Sequence, residues 1–259
     1  MTQDLARQVQ ALEEVCRSAI TIARDLSTDD ADLPTDCPGW SVKDHLAHMV
    51  GLEQVLCGAP EPRVELPDLD HVVNEIDGYM ERHVQARRAL PVGNVADEFE
   101  GMLPRRVAQL EALVALGDPD MAAPMGTVRP ISRGLPMRVF DLWTHEQDMR
   151  RALGSPMRLD GVSGPIVAER ILLLWSMALP RKDDIPPGTL RVEVTSPVQR
   201  STTISLGESE SAATLSGDLG VVARLVCGRG VPDEILASAS VDGDRDWFDR
   251  VVPHLVLTP

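Results

Sequence analysis

The sequence predicts an α+β protein in which an N-terminal helical bundle precedes a small mixed domain. Apolar residues recur at helical spacing through much of residues 1–158. A stretch rich in proline and glycine, residues 116–136, interrupts them as a long crossover. Beyond residue 165, short β-like runs follow one another closely with helical stretches around them, the pattern of an α+β domain.

In the first helix, Leu5, Val9, Leu12, Val15, Ala19, Ile22 and Leu26 recur every three or four positions, as on one helix face. "TDCPGW" (35–40) breaks the pattern, and Ser41 with Asp44 forms a capping-box signature for a second helix to about Cys57. A third helix is expected over about 69–89 and a fourth over about 96–116, and Pro136 is expected to introduce a further helix ending near Leu153. Four long helices and a crossover describe a helical bundle. The composition shifts across "GSPMRLDGVSGP" (154–165), so the expected division is 1–158 and 159–259. Past it come a helix over about 165–179, strand candidates "LRVEVTS", "STTISL" and "SAATLS", a helix in "GDLGVVARLVCG", and a last helical stretch, "DWFDRVVPHLV".

A hydrophobic fraction of 43% suits a soluble protein with a real core, and the formal net charge is −15. Such a balance, with no basic patch, argues against nucleic acid and anionic membrane as partners. The charged N-terminus lacks a signal-peptide core, and no segment approaches the roughly 18 apolar residues of a membrane span. The expected location is cytoplasmic, as a monomer or homodimer. Cys16, Cys37, Cys57 and Cys227 show no CxxC spacing and read as free thiols in a reducing compartment. Cys37, in a loop, is the one whose reactivity invites a test.

Chemistry concentrates in "DLWTHEQD" (141–148). On a helical wheel Asp141, His145 and Asp148 line one stripe, flanked by Arg138, Leu142 and Met149, while Glu146, Gln147 and Arg150 fall on other sides. Asp141 and His145, four apart, place their Cβ atoms about 5–6 Å from each other. Two such ligands can chelate one ion with bonds of about 2.0–2.2 Å, and Asp148 is placed to orient an imidazole. On spacing alone a solvated Asp/His pair is the favoured reading, because such pairs are common on helices, and a metal needs a third ligand from another helix. "VKDHLAHMV" (42–50) offers His45 and His48. His45 lies nearer the centre of the apolar face and His48 at its edge, so periodicity leaves the choice open. Glu53 falls on the apolar face as a candidate buried acid. Trp40 and Trp143 read as core or pocket wall, and Asn74 and Arg82 as structural residues. His71, His83 and His254 have no partner at useful spacing. "SGDLG" (216–220) reads as a strand-to-helix turn, with an anion cradle as the alternative.

"CPGWSVKDHLAH" together with "RVFDLWTHEQDMRRALG" resembles the mycothiol-dependent maleylpyruvate isomerase family. These are actinobacterial proteins with a DinB-like metal-binding helical bundle and a sterol-carrier-like C-terminal domain. The resemblance extends over nearly the whole chain, including the crossover and "GDLGVVARLVCGRG". It implies a divalent metal, commonly zinc, held by His48, Asp141 and His145, with mycothiol as thiol co-substrate and a small molecule as substrate. His45 falls where family members carry an apolar residue. The isomerases carry Glu at the position of Asp141, so the resemblance implies a relative of unassigned reaction. Three protein ligands leave an open position, as catalytic sites require. A thiol bound there would lose its proton and attack an electrophile, for transfer or for addition, rotation and elimination. Arg229, in "CGRG", is the candidate catalytic cation for an anionic substrate group, with Arg224 as its competitor. The expectation is therefore a mycothiol-using transferase or isomerase. A non-enzymatic binding protein and a metal hydrolase using bound hydroxide are the alternatives.

Overall fold

The computed structural model describes residues 2–258, and the chain divides into two compact units, residues 1–157 and 158–259. The first unit is helical: α1 (Thr2–Arg24), the single turn α2 (Thr28–Ala31), α3 (Val42–Leu56), α4 (Glu75–Gln85), α5 (Val92–Ala115) and α6 (Ile131–Ala152), with a hairpin of β1 (Asp120–Ala123) and β2 (Thr127–Pro130) before α6. The periodic face of α1 is the buried one, with Leu5, Val9, Leu12, Val15 and Ala19 inside. It packs on α5 and α6, while α3 packs on α4, α5 and α6. The predicted capping box is present: Ser41 accepts from the Asp44 N–H, and the Asp44 carboxylate accepts from the Ser41 N–H. α4 is shorter than its apolar pattern suggests, because the Asn74 side chain accepts from the Asp77 N–H and starts the helix there.

The crossover differs most from expectation. Residues 120–130 pair as an antiparallel hairpin whose turn holds Met125 and Gly126 in the left-handed region, at φ 60 and 66. The helix begins at Ile131, and Pro136 lies inside it rather than at its start. Its first N–H groups are capped from upstream: Asp118 accepts from the Ser132 N–H and hydroxyl, and the Pro119 carbonyl accepts from Ile131. A helix capped by residues 12 to 14 positions away carries no local start signal. At Gly134 an added Cβ would sit 2.7 Å from Met121 Sδ, so the absent side chain lets the hairpin lie against α6.

The second unit holds α7 (Ser163–Ala178), β3 (Thr189–Val194), β4 (Arg200–Ser205), β5 (Ala212–Gly217), α8 (Leu219–Val226), α9 (Pro232–Leu236), β6 (Ser240–Gly243) and α10 (Arg245–Val251). The sheet order is β4-β3-β5-β6, with β3 and β5 parallel and the outer pairs antiparallel. Leu190, Val192 and Val194 alternate inward along β3, while α7 packs on β4 and α8, and α10 packs on β5. The "SGDLG" segment is a strand-to-helix turn whose own Asp218 carboxylate accepts from the Val221 N–H at the α8 N-terminus. The molecule is thus α+β, a helical region followed by a sheet domain. No helix among the described residues is long and apolar enough to cross a membrane.

Candidate metal centre

The centre is built on α3 and α6, with the 34–41 loop as its wall. That loop closes through a bridge between Pro34 and Ser41. Gly39 stands at φ 80, and a Cβ there would lie 2.2 Å from His71 Nδ1, so both backbone and packing demand glycine. The turn delivers Trp40, whose Nε1–H donates to Glu81 Oε2 at 2.8 Å. The His71 ring packed on Gly39 contacts the same oxygen at 3.1 Å. Trp40 then covers the rings of His48, His45 and His145, with centroids 5.0, 5.4 and 5.5 Å away. His71 therefore has a partner after all, as does His254, whose Nδ1 lies 3.6 Å from Asp184. Both partners come from positions that helix spacing does not connect.

His48, Asp141 and His145 converge. One ligand atom from each lies within 4.8 Å of the other two. His48 Nε2 is 3.4 Å from Asp141 Oδ2, and His145 Nε2 is 3.9 Å from Asp141 Oδ1. Tetrahedral ligands with bonds of about 2.0–2.2 Å sit roughly 3.4 Å apart, so a divalent cation fits with small adjustments. His48 is buried, and its Nδ1 has no hydrogen-bond partner among the described residues. Asp141 is the more open ligand, with 20% of its side chain exposed. Burial lowers the His48 pKa to about 4 despite the opposing pull of Asp141, so the ring is neutral near pH 7 and has one nitrogen lone pair to offer. Burial alone would raise the Asp141 carboxyl, but the Arg138 guanidinium and then His48 hold it well below the usual carboxylate range. Two imidazoles and a carboxylate are a donor set suited to zinc and its neighbours.

His45 and Asp148 form a second layer. His45 Nδ1 lies 2.9 Å from His145 Nδ1, and Asp148 Oδ2 lies 3.6 Å from the same His145 atom. His45, His145 and Asp148 thus make a second, buried cluster that shares His145 with the first. His45 and His48 are both buried, which is why the apolar periodicity could not choose between them.

Glu53, read as a buried acid, is fully buried between two arginines. Arg106 Nε donates to one carboxylate oxygen at 2.6 Å, and Arg138 Nε donates to the other at 2.8 Å. Arg138 NH1 continues to Asp141 Oδ2 at 2.9 Å. Arg138, three residues before Asp141, therefore links the buried charge network to a candidate ligand. The wheel reading of Glu146 and Gln147 as outer residues is corrected: both are buried, and Glu146 accepts from Ser18 on α1 and from Arg150. From Val139 to Met149 every residue but Asp141 is buried, so α6 has no solvated face there to which they could be assigned. Arg229 lies in the second unit after α8, buried, with NH1 donating to the Cys227 carbonyl at 2.7 Å. Arg224 Nε donates to the Arg229 carbonyl.

The model of the mycothiol maleylpyruvate isomerase N-terminal domain matches residues 12–150, more than half of the chain. The chain belongs to that family. Two solved structures resemble it over 93% of its length and 95% of theirs, both with a TM-score of 0.64. They are the crystal structure of a mycothiol-dependent maleylpyruvate isomerase, at 15% identity, and that of a histidine-to-alanine mutant, at 14%. At that identity they show a shared fold across both units. No curated protein matches the chain.

His83, on α4, is buried with neither ring nitrogen bonded among the described residues. Burial, followed by the nearby charges of His48, Arg87 and Arg138, lowers its pKa to about 3. The unfolded chain takes up this proton below about 6.5 and the folded chain only near 3, so stability falls as pH drops through that window. His48 acts in the same sense down to about 4. Replacing His83 by Leu should reduce the stability lost between pH 7 and pH 4.5 by up to about 2 kcal/mol. Urea denaturation of both proteins at the two pH values checks this, and parallel losses would refute it.

Proposed function

We propose that this chain is a metal-dependent, mycothiol-using enzyme, a transferase or isomerase acting on a small electrophile. The observation that carries the reading is the convergence of His48, Asp141 and His145 into one donor set on a bundle of this family. Three protein ligands leave a coordination position for a fourth group. A divalent cation, zinc being the expected one, would supply the acidity that turns a bound thiol into a thiolate near neutral pH.

The chain's own residues prepare that site. Arg138 grips one oxygen of Asp141 and leaves the other facing His145. Trp40 and the apolar parts of the bundle cover the imidazoles, which keeps His48 neutral. Asp141 is one methylene shorter than glutamate, and Arg138 ties it to the site. Arg229 is proposed as the cation for an anionic group of the substrate, so Arg229→Ala should raise KM more than it lowers kcat. The cytoplasm, where the low-molecular-weight thiol is kept reduced, is the proposed location.

Turnover of a panel of small electrophiles, with mycothiol supplied or withheld, tests the reading. Consumption that needs both mycothiol and metal, and that disappears in His48→Ala, is the expected result. Turnover without thiol would mark a hydroxide-using hydrolase instead. Metal retention with no thiol binding by calorimetry would mark a binding protein.

A further inference from the structure

We infer that His45 is a positioning residue that fixes the ring tautomer of His145, and that Thr35 sets this relay from its far end. The inference rests on the metal reading for its purpose, but its geometry stands alone. Thr35 Oγ1 lies 3.0 Å from the Trp40 carbonyl oxygen and 3.4 Å from the Cys37 carbonyl oxygen, two groups that can only accept, and the relay places the hydroxyl hydrogen on the nearer one, Trp40. The same oxygen accepts from the Cys37 N–H at 3.2 Å and lies 2.8 Å from His45 Nε2. Having given its hydrogen to Trp40, it meets His45 with a lone pair, so Nε2 of His45 carries the proton. A neutral imidazole holds one N–H, which leaves His45 Nδ1 as an acceptor. Its partner at 2.9 Å is His145 Nδ1, which must then be the donor. His145 Nε2 is left with a bare lone pair, directed toward Asp141 and His48.

Two further observations give the chain of bonds the same direction. Asp148 Oδ2 lies 3.6 Å from His145 Nδ1 and 4.0 Å from His45 Nδ1, beyond hydrogen-bond reach of both, so its charge acts through space and favours the proton on the nearer ring, His145. Were Nε2 of His145 protonated instead, Asp141 Oδ1 at 3.9 Å would be too far to accept it. The relay therefore runs from Trp40 through Thr35 and His45, over 100 residues of sequence at its last step, to the imidazole of α6. A ligating histidine needs its second nitrogen anchored, commonly by a carboxylate or backbone carbonyl. Here another histidine does it, backed by a hydroxyl and a backbone carbonyl.

The chain contains six histidines, few enough to resolve singly in full-length protein labelled with ¹⁵N-histidine. Long-range ¹H–¹⁵N spectra of the metal-free protein at neutral pH, assigned by single His→Gln variants, read each tautomer directly. The relay requires His145 as the Nδ1–H form and His45 as the Nε2–H form. Finding His145 as the Nε2–H form, or either ring as an averaged mixture, overturns it. Thr35→Ser should keep both tautomers. Thr35→Val should release them and weaken zinc affinity, measured by chelator competition, about 10- to 100-fold. Thr35→Ser as weak as Thr35→Val would also overturn the relay. Correct tautomers in a wild-type protein that binds no zinc would support the relay while sinking the metal reading.

Discussion

Replacing Glu53 by Met is expected to destabilise the first unit by about 3–5 kcal/mol, the cost typical of removing one partner from a buried ion pair. Glu53 is fully buried, and both of its oxygens are taken by arginine side chains that are themselves buried. Burial alone would raise its pKa, but Arg106 and Arg138 together lower it, so the group is ionised at neutral pH. The network Arg106, Glu53, Arg138, Asp141 is neutral as a whole, with charges alternating along it. Removing Glu53 leaves a net positive charge inside the bundle. Removing Arg106 as well returns the remainder, Arg138 with Asp141, to neutrality. Glu53→Met combined with Arg106→Met should therefore be more stable than Glu53→Met alone, although it carries one more substitution. Urea midpoints of the two variants decide it. A double variant no more stable than the single would show that charge compensation is not what Glu53 contributes.

The second large effect falls on metal retention. His145 is the member common to both His/Asp clusters, so His145→Ala should lose metal by far more than the about 10- to 100-fold expected for an orienting residue. His48→Ala should match it, because His48 Nε2 faces Asp141 directly. His45→Ala should fall in the milder range, since His45 touches the site only through His145 Nδ1. This ordering separates the two clusters, which share a histidine and differ in what they ask of His45 and His48. Equal losses in His45→Ala and His48→Ala would assign both histidines to the metal.

What the sequence revealed, and what it hid, follows the range of the interactions involved. The α+β class was legible because helix and strand periods are local, as was the capping box of Ser41 and Asp44. The pairing of Asp141 with His145 was legible because helix geometry fixes residues four apart. The start of α6 was not, since its cap comes from Asp118 through a hairpin with weak strand composition. Nor was the burial of Glu146 and Gln147, because a wheel assumes one wet face and this stretch of α6 has none. Arg138 was visible only as a neighbour of the stripe, whereas its bond to Glu53 joins positions 85 residues apart. Thr35 left no signal: a lone threonine in a loop shows its role only once α3 and α6 meet.

The most direct test of the central claim is a zinc titration of metal-free protein, followed by calorimetry with His48→Ala and His145→Ala beside it. One ion per wild-type chain, and none held by either variant at the same concentrations, is the predicted result. A wild-type protein that takes up no more zinc than the two variants would contradict the site built from His48, Asp141 and His145.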